Sequence, residues 1–140
     1  MLNISELTKR YFDNGKRIVA PLVGFPGVKL SNSTIKIAQQ NYVEHFKVIR
    51  NIYNRFQPDI IFPLMDLSVE ANAIGRNTIF PINESATVII EKFELDELEN
   101  LKQIEITADS RIQSYTKTIS LMKNNLPDYV VIGGYVIGPY

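Results

Sequence analysis

The sequence has no cysteine and only one histidine among its 140 residues. Without cysteine, the chain acting alone cannot form a disulfide, supply a thiolate nucleophile or hold zinc through a Cys/His ligand set. It also lacks an excess of charge, because 15 basic residues balance 15 acidic ones. No stretch clusters lysine and arginine with aromatic residues, as nucleic acid binding would favour. We therefore predict no metal site and no nucleic acid partner for this chain.

Long apolar runs are absent as well. Hydrophobic residues form 45% of the chain, but no run reaches the roughly 18 residues that a membrane-spanning helix requires. The amino-terminal residues carry acidic and basic side chains in a helical pattern, which is unlike a signal peptide. The sequence thus predicts a soluble, cytoplasmic protein of one domain with no membrane partner.

Three shorter apolar runs predict buried strands at residues 17–23, 59–64 and 129–140. Helical patterns separate these runs. They predict helices over residues 3–13, 41–56, 93–101 and 110–125, and a further helix that starts at a cap among residues 31–34 and ends at residue 40. Two further β-prone runs, at 78–82 and 86–90, predict a small inserted hairpin. Because repeated strand–helix units favour a parallel sheet with right-handed crossovers, the predicted fold class is α/β.

Two of the predicted helices carry an apolar stripe at helical spacing, which is typical of a face that packs on a core. The first stripe consists of Tyr42, Phe46, Ile49, Tyr53 and Phe56. The second follows the candidate helix cap Asp109 and consists of Ile112, Tyr115, Ile119 and Met122. The single histidine, His45, lies beside the first stripe. We interpret it as a solvated or hydrogen-bonded bystander and keep a catalytic role as the less favoured alternative.

The clearest candidate for chemistry is Asp66, which follows the predicted strand 59–64. Enzymes of the α/β class place functional acids at the carboxyl ends of such strands. Asp66 can therefore lie in a cleft, or it can cap the short helix that follows, and both roles can hold at once. Glu70 can likewise face the cleft, but the positive end of that short helix is the favoured explanation for it.

Glycine pairs mark two further segments. Gly24 and Gly27 can let the backbone approach a ligand, but with Pro26 they are more typical of a turn that ends the first strand. Gly133 and Gly134 predict a bulge or close packing within the last strand rather than a phosphate-binding loop.

Three segments in this order resemble one known family. VGFPGVKL (23–30), IIFPLMDLSVEANAIG (60–75) and VIGGYVIGPY (131–140) are similar to the amino-terminal part of the uroporphyrinogen decarboxylase family, which includes the methylcobamide:coenzyme M methyltransferases. The GFPGVKL and DLSVEA segments are more similar to the corrinoid methyltransferase branch than to the decarboxylase. The resemblance implies that residues 1–140 form a single partial domain, the first three or so βα units of a TIM (β/α)8 barrel of about 250 residues. Such an incomplete barrel would be inactive alone.

The resemblance also implies a site. Asp66 would be the catalytic residue of a tetrapyrrole cleft, where its carboxylate accepts pyrrole N–H bonds and stabilises developing positive charge. The implied substrate-binding set is Gly24, Phe25, Gly27, Lys29, Asp66, Ser68 and Glu70. The ligand would be a corrinoid or a porphyrinogen. No cofactor is implied on this chain, since zinc and a methylcobamide belong only to a complete methyltransferase, whose zinc ligands lie later in the barrel.

Two other functions stay open, and with them the question of whether the chain is an enzyme. Uroporphyrinogen decarboxylation in porphyrin biosynthesis needs no cofactor, but the decarboxylases bind substrate carboxylates with arginines where this chain has only Lys29. The second alternative is a truncated, non-catalytic assembly module. Three parallel strands would leave two unpaired edges, which favour self-association or pairing with a complementary chain.

Overall fold

A computed structural model describes residues 4–92, 94 and 97–138 of the chain. Its helices are α1 (Ile4–Asp13), α2 (Pro26–Leu30), α3 (Ile35–Gln40), α4 (Tyr42–Phe56), α5 (Val69–Ala73), α6 (Glu97–Leu101) and α7 (Ser110–Asn125). Its strands are β1 (Ile60–Ile61), β2 (Thr78–Ile79), β3 (Thr87–Val88) and β4 (Val131–Ile132). The predicted helices are confirmed, except that the one predicted over 93–101 is found over Glu97–Leu101 and residue 94 is not helical. Residues 3, 93, 95 and 96 of the predicted helices lie outside the described residues.

A parallel pair of strands forms the centre of the fold. Ile60 lies opposite Val131 and Ile61 lies opposite Ile132, so β1 pairs with β4 as the two later apolar runs predict. Both strands are shorter than predicted, because Pro63 has no N–H for the ladder and Gly133 begins a glycine pair that weakens strand structure. A Cβ on Gly133 would lie 2.2 Å from the Phe62 ring, which confirms close packing there. Residues 139 and 140 of the predicted last strand lie outside the described residues.

The predicted first strand, residues 17–23, is wrong. This segment runs beside the start of β1, where the Val19 carbonyl accepts bonds from the N–H groups of Asp59 and Ile60 at 3.0 and 3.2 Å, but it is not a strand. It is not buried either, since Leu22 is 60% exposed. Pro21 explains the failure in part, because proline cannot donate to a ladder. The α/β fold therefore has a two-stranded parallel sheet, and the described residues form no closed barrel.

The GFPG segment forms the predicted turn, in which the Gly27 N–H donates to the Gly24 carbonyl at 3.1 Å, and a short helix starts within it. Pro26 starts α2, a position that suits proline because the first helical N–H needs no partner. Gly27 lies on the face of α2 that packs against α4, and a Cβ there would lie 2.4 Å from the Ile52 side chain. Gly27 thus permits close contact between two helices.

The core lies around α4, which packs against α2, α3 and α7. Asn41 caps α4 by accepting bonds from the N–H groups of Val43 and Glu44 at 2.9 and 3.2 Å. The predicted stripe is confirmed in its middle and wrong at its ends, where Tyr42 and Phe56 are exposed. The buried cluster consists of Val28, Ala38, Phe46, Val48, Ile49, Ile52, Tyr53, Ile61, Leu64, Met122, Leu126 and Val130.

Helix α7 turns a different face to the core than the sequence predicts. Asp109 caps it as expected, accepting from the N–H groups of Arg111 and Ile112 at 2.8 and 3.0 Å. The buried side chains are those of Arg111, Ser114, Thr118 and Met122. Except for Met122, the predicted apolar stripe is only half-buried. Small polar residues on the inner face let α7 approach the core closely, and the apolar stripe is left to line a cavity.

The inserted hairpin is confirmed. Strands β2 and β3 pair antiparallel, with Thr78 opposite Val88 and Ile79 opposite Thr87. Among the helices that the structure describes, none combines the length and the apolar character needed to cross a membrane.

Candidate functional site

A cavity of about 300 Å³ lies where the chain leaves β1 and β4 at their carboxyl ends. Carboxyl ends of parallel strands meet at one edge of a sheet, and the diverging chains leave a crevice where α/β proteins bind ligands. Three segments form its walls: Pro63, Met65, Asp66, Leu67, Val69 and Glu70 after β1, Ile112, Tyr115, Thr116 and Ile119 of α7, and Tyr135, Val136 and Ile137 after β4. The cavity wall is mostly apolar.

Asp66 is the buried acid of this cavity, and its side chain is fully shielded from solvent. Its Oδ1 accepts bonds from the Ser68 N–H at 2.9 Å and the Ser68 hydroxyl at 2.7 Å. Its Oδ2 accepts from the Arg111 guanidinium and from the Tyr115 hydroxyl, the latter at 3.3 Å. A carboxylate has about four acceptor positions, so the described partners of Asp66 use all of them.

Arg111 is the residue of the candidate site that sequence reasoning missed. It forms a buried ion pair with Asp66, and it also donates to Asn72 Oδ1 at 3.1 Å and to the Ser68 hydroxyl at 3.2 Å. Its guanidinium lies 4.8 Å from the centre of the Phe80 ring. Arg111 therefore connects α7 to the Asp66 turn, to α5 and to the hairpin. A basic residue in the first turn of a helix opposes the helix dipole, and this cost is the sequence signal that could have indicated a specific partner.

Two tyrosines supply the hydroxyl groups of the cavity. Burial and the charge of Asp66 raise the pKa of Tyr115 and of Tyr135, so both phenols stay protonated near neutral pH. The Tyr135 hydroxyl donates to the Pro63 carbonyl at 2.5 Å and so joins the two walls that follow β1 and β4. The Tyr115 hydroxyl donates to Asp66.

His45 supports the site from behind. It is fully buried, its Nε2 accepts the Leu64 N–H at 2.7 Å, and its ring meets the Tyr115 ring edge-on at 4.9 Å. Burial lowers the pKa of His45 to about 3. The hydrogen-bonded interpretation is confirmed, because a neutral imidazole fixes Leu64 two residues before Asp66.

Residues 29–140 match the family model described as uroporphyrinogen decarboxylase (URO-D). The chain belongs to the uroporphyrinogen decarboxylase family. Among solved structures, a methyltransferase from Methanosarcina mazei is similar, with a TM-score of 0.69 and 14% sequence identity. The similarity covers 86% of this chain and 38% of that one, so the chain spans well under half the length of that methyltransferase. At this identity the likeness shows the fold. No match was found among curated proteins.

The structure brings together three members of the substrate-binding set that the uroporphyrinogen decarboxylase resemblance implies. Asp66 and Glu70 line the cavity, and Ser68 lies just behind Asp66. Glu70 also accepts the Ile137 N–H at 3.3 Å, which links the wall after β1 to the wall after β4. Glu70 thus has both of the positions that the sequence left open, because it lines the cavity and also lies in the first turn of α5.

The other four members lie outside the cavity wall. Gly24 packs against Leu64, where a Cβ would come within 2.7 Å of its side chain. Phe25 packs on the core cluster, Gly27 on α4, and Lys29 is exposed in the last turn of α2. Their role in substrate binding stays a prediction.

Charge in the cavity is one-sided. Its wall contains two acids, Asp66 and Glu70, and no lysine, arginine or histidine. Arg111 neutralises Asp66 from behind, which leaves the Glu70 carboxylate outside the ion pairs found among the described residues. The described residues also contain no group of three or more His, Cys, Asp or Glu side chains that could hold a metal ion.

Proposed function

We propose that this chain forms a cleft wall of a uroporphyrinogen decarboxylase-family methyltransferase of the corrinoid type. The observation that carries the proposal is the mostly apolar cavity without a base at the carboxyl ends of β1 and β4, with buried Asp66 on its wall. The similarity in fold to a methyltransferase agrees with this choice of branch.

Charge favours a corrinoid over a porphyrinogen. The ring side chains of uroporphyrinogen end in carboxylates, which Glu70 would repel and for which the cavity wall has no guanidinium or ammonium partner. The side chains of a corrin ring end largely in neutral amides. Amide N–H groups can donate to a carboxylate, and the ring edge can contact apolar side chains such as Met65 and Leu67.

The size of the cavity suits an edge of the ring. A cavity of about 300 Å³ is at the lower limit of pockets that enclose a whole small ligand. We infer that further polypeptide covers the rest of the tetrapyrrole. Asp66 would act there as a hydrogen-bond acceptor whose charge is balanced by Arg111.

The residues present suit a methylcobamide better than zinc. The apolar wall, the Tyr115 phenol and Asp66 would hold an edge of the corrinoid, which when bound supplies the methyl group. Zinc does not fit this chain, because cysteine is absent and the described residues form no cluster of metal ligands. For this reason we propose that the chain alone does not activate a thiol acceptor and is inactive alone.

Ligand binding tests the proposal directly. We expect the purified chain to retain methylcobalamin in equilibrium dialysis and to retain less uroporphyrin I, whose carboxylates meet no base in the cavity. Asp66→Asn should weaken methylcobalamin binding, and the exposed Asp128→Asn serves as the matched control. Preferential binding of uroporphyrin would contradict the methyltransferase branch and favour the decarboxylase alternative.

Assembly is a second candidate function, favoured by the exposure of apolar residues after β4. Val136 is 83% exposed and Ile137 is 41% exposed, and they follow a sheet that has two strands among the described residues. The unpaired edge of a strand in such a small sheet can pair with another chain. Sedimentation velocity at micromolar concentration should then show a dimer or larger species, and a stable monomer would reject self-association.

A further inference from the structure

Only one of the four hydrogen bonds that Asp66 accepts comes from the cavity wall. Ser68 supplies two donors through its N–H and hydroxyl, and Arg111 supplies a third through the ion pair. Neither residue belongs to the cavity wall. The fourth donor, the Tyr115 hydroxyl, comes from the cavity wall and makes the longest of the four bonds, at 3.3 Å.

We propose that Tyr115 is a specificity-determining residue, whose hydroxyl occupies the position on Asp66 Oδ2 that an uncharged N–H or O–H donor of the ligand takes. A primary amide is the simplest group of this class. The ligand donor replaces the phenol, while Arg111 and Ser68 keep the carboxylate in place. The inference rests on the proposed role of the cavity in binding and does not depend on methyl transfer.

The exchange has an energetic consequence that a purely structural tyrosine would not have. In the wild-type chain a ligand donor replaces one hydrogen bond to Asp66 with another, so its net gain is small. Tyr115→Phe removes the competing donor and leaves an acceptor position on a buried carboxylate unfilled. Because hydrogen bonds to charged groups are stronger than neutral ones, a ligand N–H that fills this position should bind about tenfold more tightly.

Two small probes and a matched control variant isolate this effect. Acetamide has N–H donors and N,N-dimethylacetamide has none, and both can be titrated while backbone amide signals of the cavity residues are followed by NMR. Tyr135→Phe is the control, because its hydroxyl lies in the same cavity but donates to the Pro63 carbonyl. We expect the ratio of acetamide to dimethylacetamide affinity to rise about tenfold in Tyr115→Phe and to stay unchanged in Tyr135→Phe.

An equal ratio in the wild-type chain and Tyr115→Phe overturns the proposal, and so does undetectable acetamide binding at the highest concentration that the protein tolerates. Phenylalanine keeps the ring that meets His45 edge-on, so the variant should fold. If the Tyr115→Phe variant does not fold, the proposal can be tested on the wild-type chain. The ¹³Cζ signal of Tyr115 should then shift with acetamide and not with dimethylacetamide, and equal shifts overturn the proposal.

The result can be separated from the proposed function by titrating methylcobalamin alongside. A raised ratio of acetamide to dimethylacetamide affinity in Tyr115→Phe, without methylcobalamin binding, supports Tyr115 as the specificity residue and rejects the corrinoid function. Methylcobalamin binding with an unchanged ratio supports the function and rejects the role of Tyr115.

Discussion

The two ends of β1 each carry an aspartate, and their surroundings differ. Asp66, beyond the carboxyl end, is buried, ion-paired with Arg111 and next to an apolar cavity. Asp59, before the amino end, accepts bonds from the Tyr11 hydroxyl and from the Val19 N–H at 2.9 Å. It borders a larger cavity of about 560 Å³ together with the basic residues Arg10 and Lys16.

The comparison teaches that burial distinguishes the two acids: Asp66 is buried in the candidate site, whereas the partly exposed Asp59 links neighbouring segments. Asp59 holds α1 and the segment 17–23 against the sheet, and water can replace much of what it does. The Asp66 side chain is shielded from solvent, and the four hydrogen bonds that it accepts come from the protein. In parallel α/β folds the functional residues lie at the carboxyl ends of the strands. Asp66 lies on that side of β1 and Asp59 lies on the other.

The largest effect should follow from removing the cation behind Asp66. Arg111→Met leaves a buried carboxylate without its partner and should lower the free energy of unfolding by about 3–5 kcal/mol. Urea denaturation measures this change. Arg10→Met at the exposed end of the molecule is the control, with an expected change of about 0.5 kcal/mol or less. Similar losses in the free energy of unfolding for the two variants would contradict the distinction between the two ends of β1.

The two aspartates can also be compared directly. Asp66→Asn should cost about 3 kcal/mol, because it leaves the Arg111 charge buried and unpaired. Asp59→Asn should cost only about 1 kcal/mol, since the amide oxygen can still accept a bond and water has access. Unfolding curves of the two variants test the order, and a larger loss at Asp59 would contradict the assignment of the buried site.

A more gradual effect is expected from pH, through His45. Its pKa falls from 6.5 in the unfolded chain to about 3 in the fold, so below pH 6.5 the unfolded chain binds the proton that the folded chain refuses. Stability should therefore be complete above pH 6.5 and fall toward pH 3, by at most about 1.4 kcal/mol per pH unit for this one group.

His45→Gln separates this effect from the titration of carboxylates. Glutamine offers an oxygen that can accept the Leu64 N–H but does not titrate. The difference in unfolding free energy between the wild-type chain and His45→Gln should narrow as the pH falls. A difference that stays constant with pH would show that His45 is not buried in its neutral form.

The smallest effect is expected at Lys29. It lies exposed on α2, outside the cavity wall, so Lys29→Ala should change methylcobalamin affinity by less than about twofold. Equilibrium dialysis measures the change. A loss of tenfold or more, on the order of 1.4 kcal/mol, would support Lys29 as a member of the substrate-binding set that the family resemblance implies.

Part of the site could be predicted, but not its electrostatics. Asp66 follows an apolar run at a strand end, and this local pattern was enough to place it at the cavity. Its pairing with Arg111 spans 45 residues of sequence, and no local pattern indicates which of the basic residues will meet it. The Tyr115 ring was expected in the core, because an apolar stripe predicts a packed face without saying against what it packs.

The sequence by itself determined the local structure and the family. Asn41 and Asp109 cap helices through bonds to N–H groups two or three residues away, and the motifs around 60–75 and 131–140 carry the family resemblance. Tertiary structure alone decided that 17–23 is not a strand, which face of α7 is buried, and that Asp66 meets Arg111. The physical reason is range: caps and turns are satisfied by neighbours in the chain, whereas burial and ion pairing depend on which distant segments pack together.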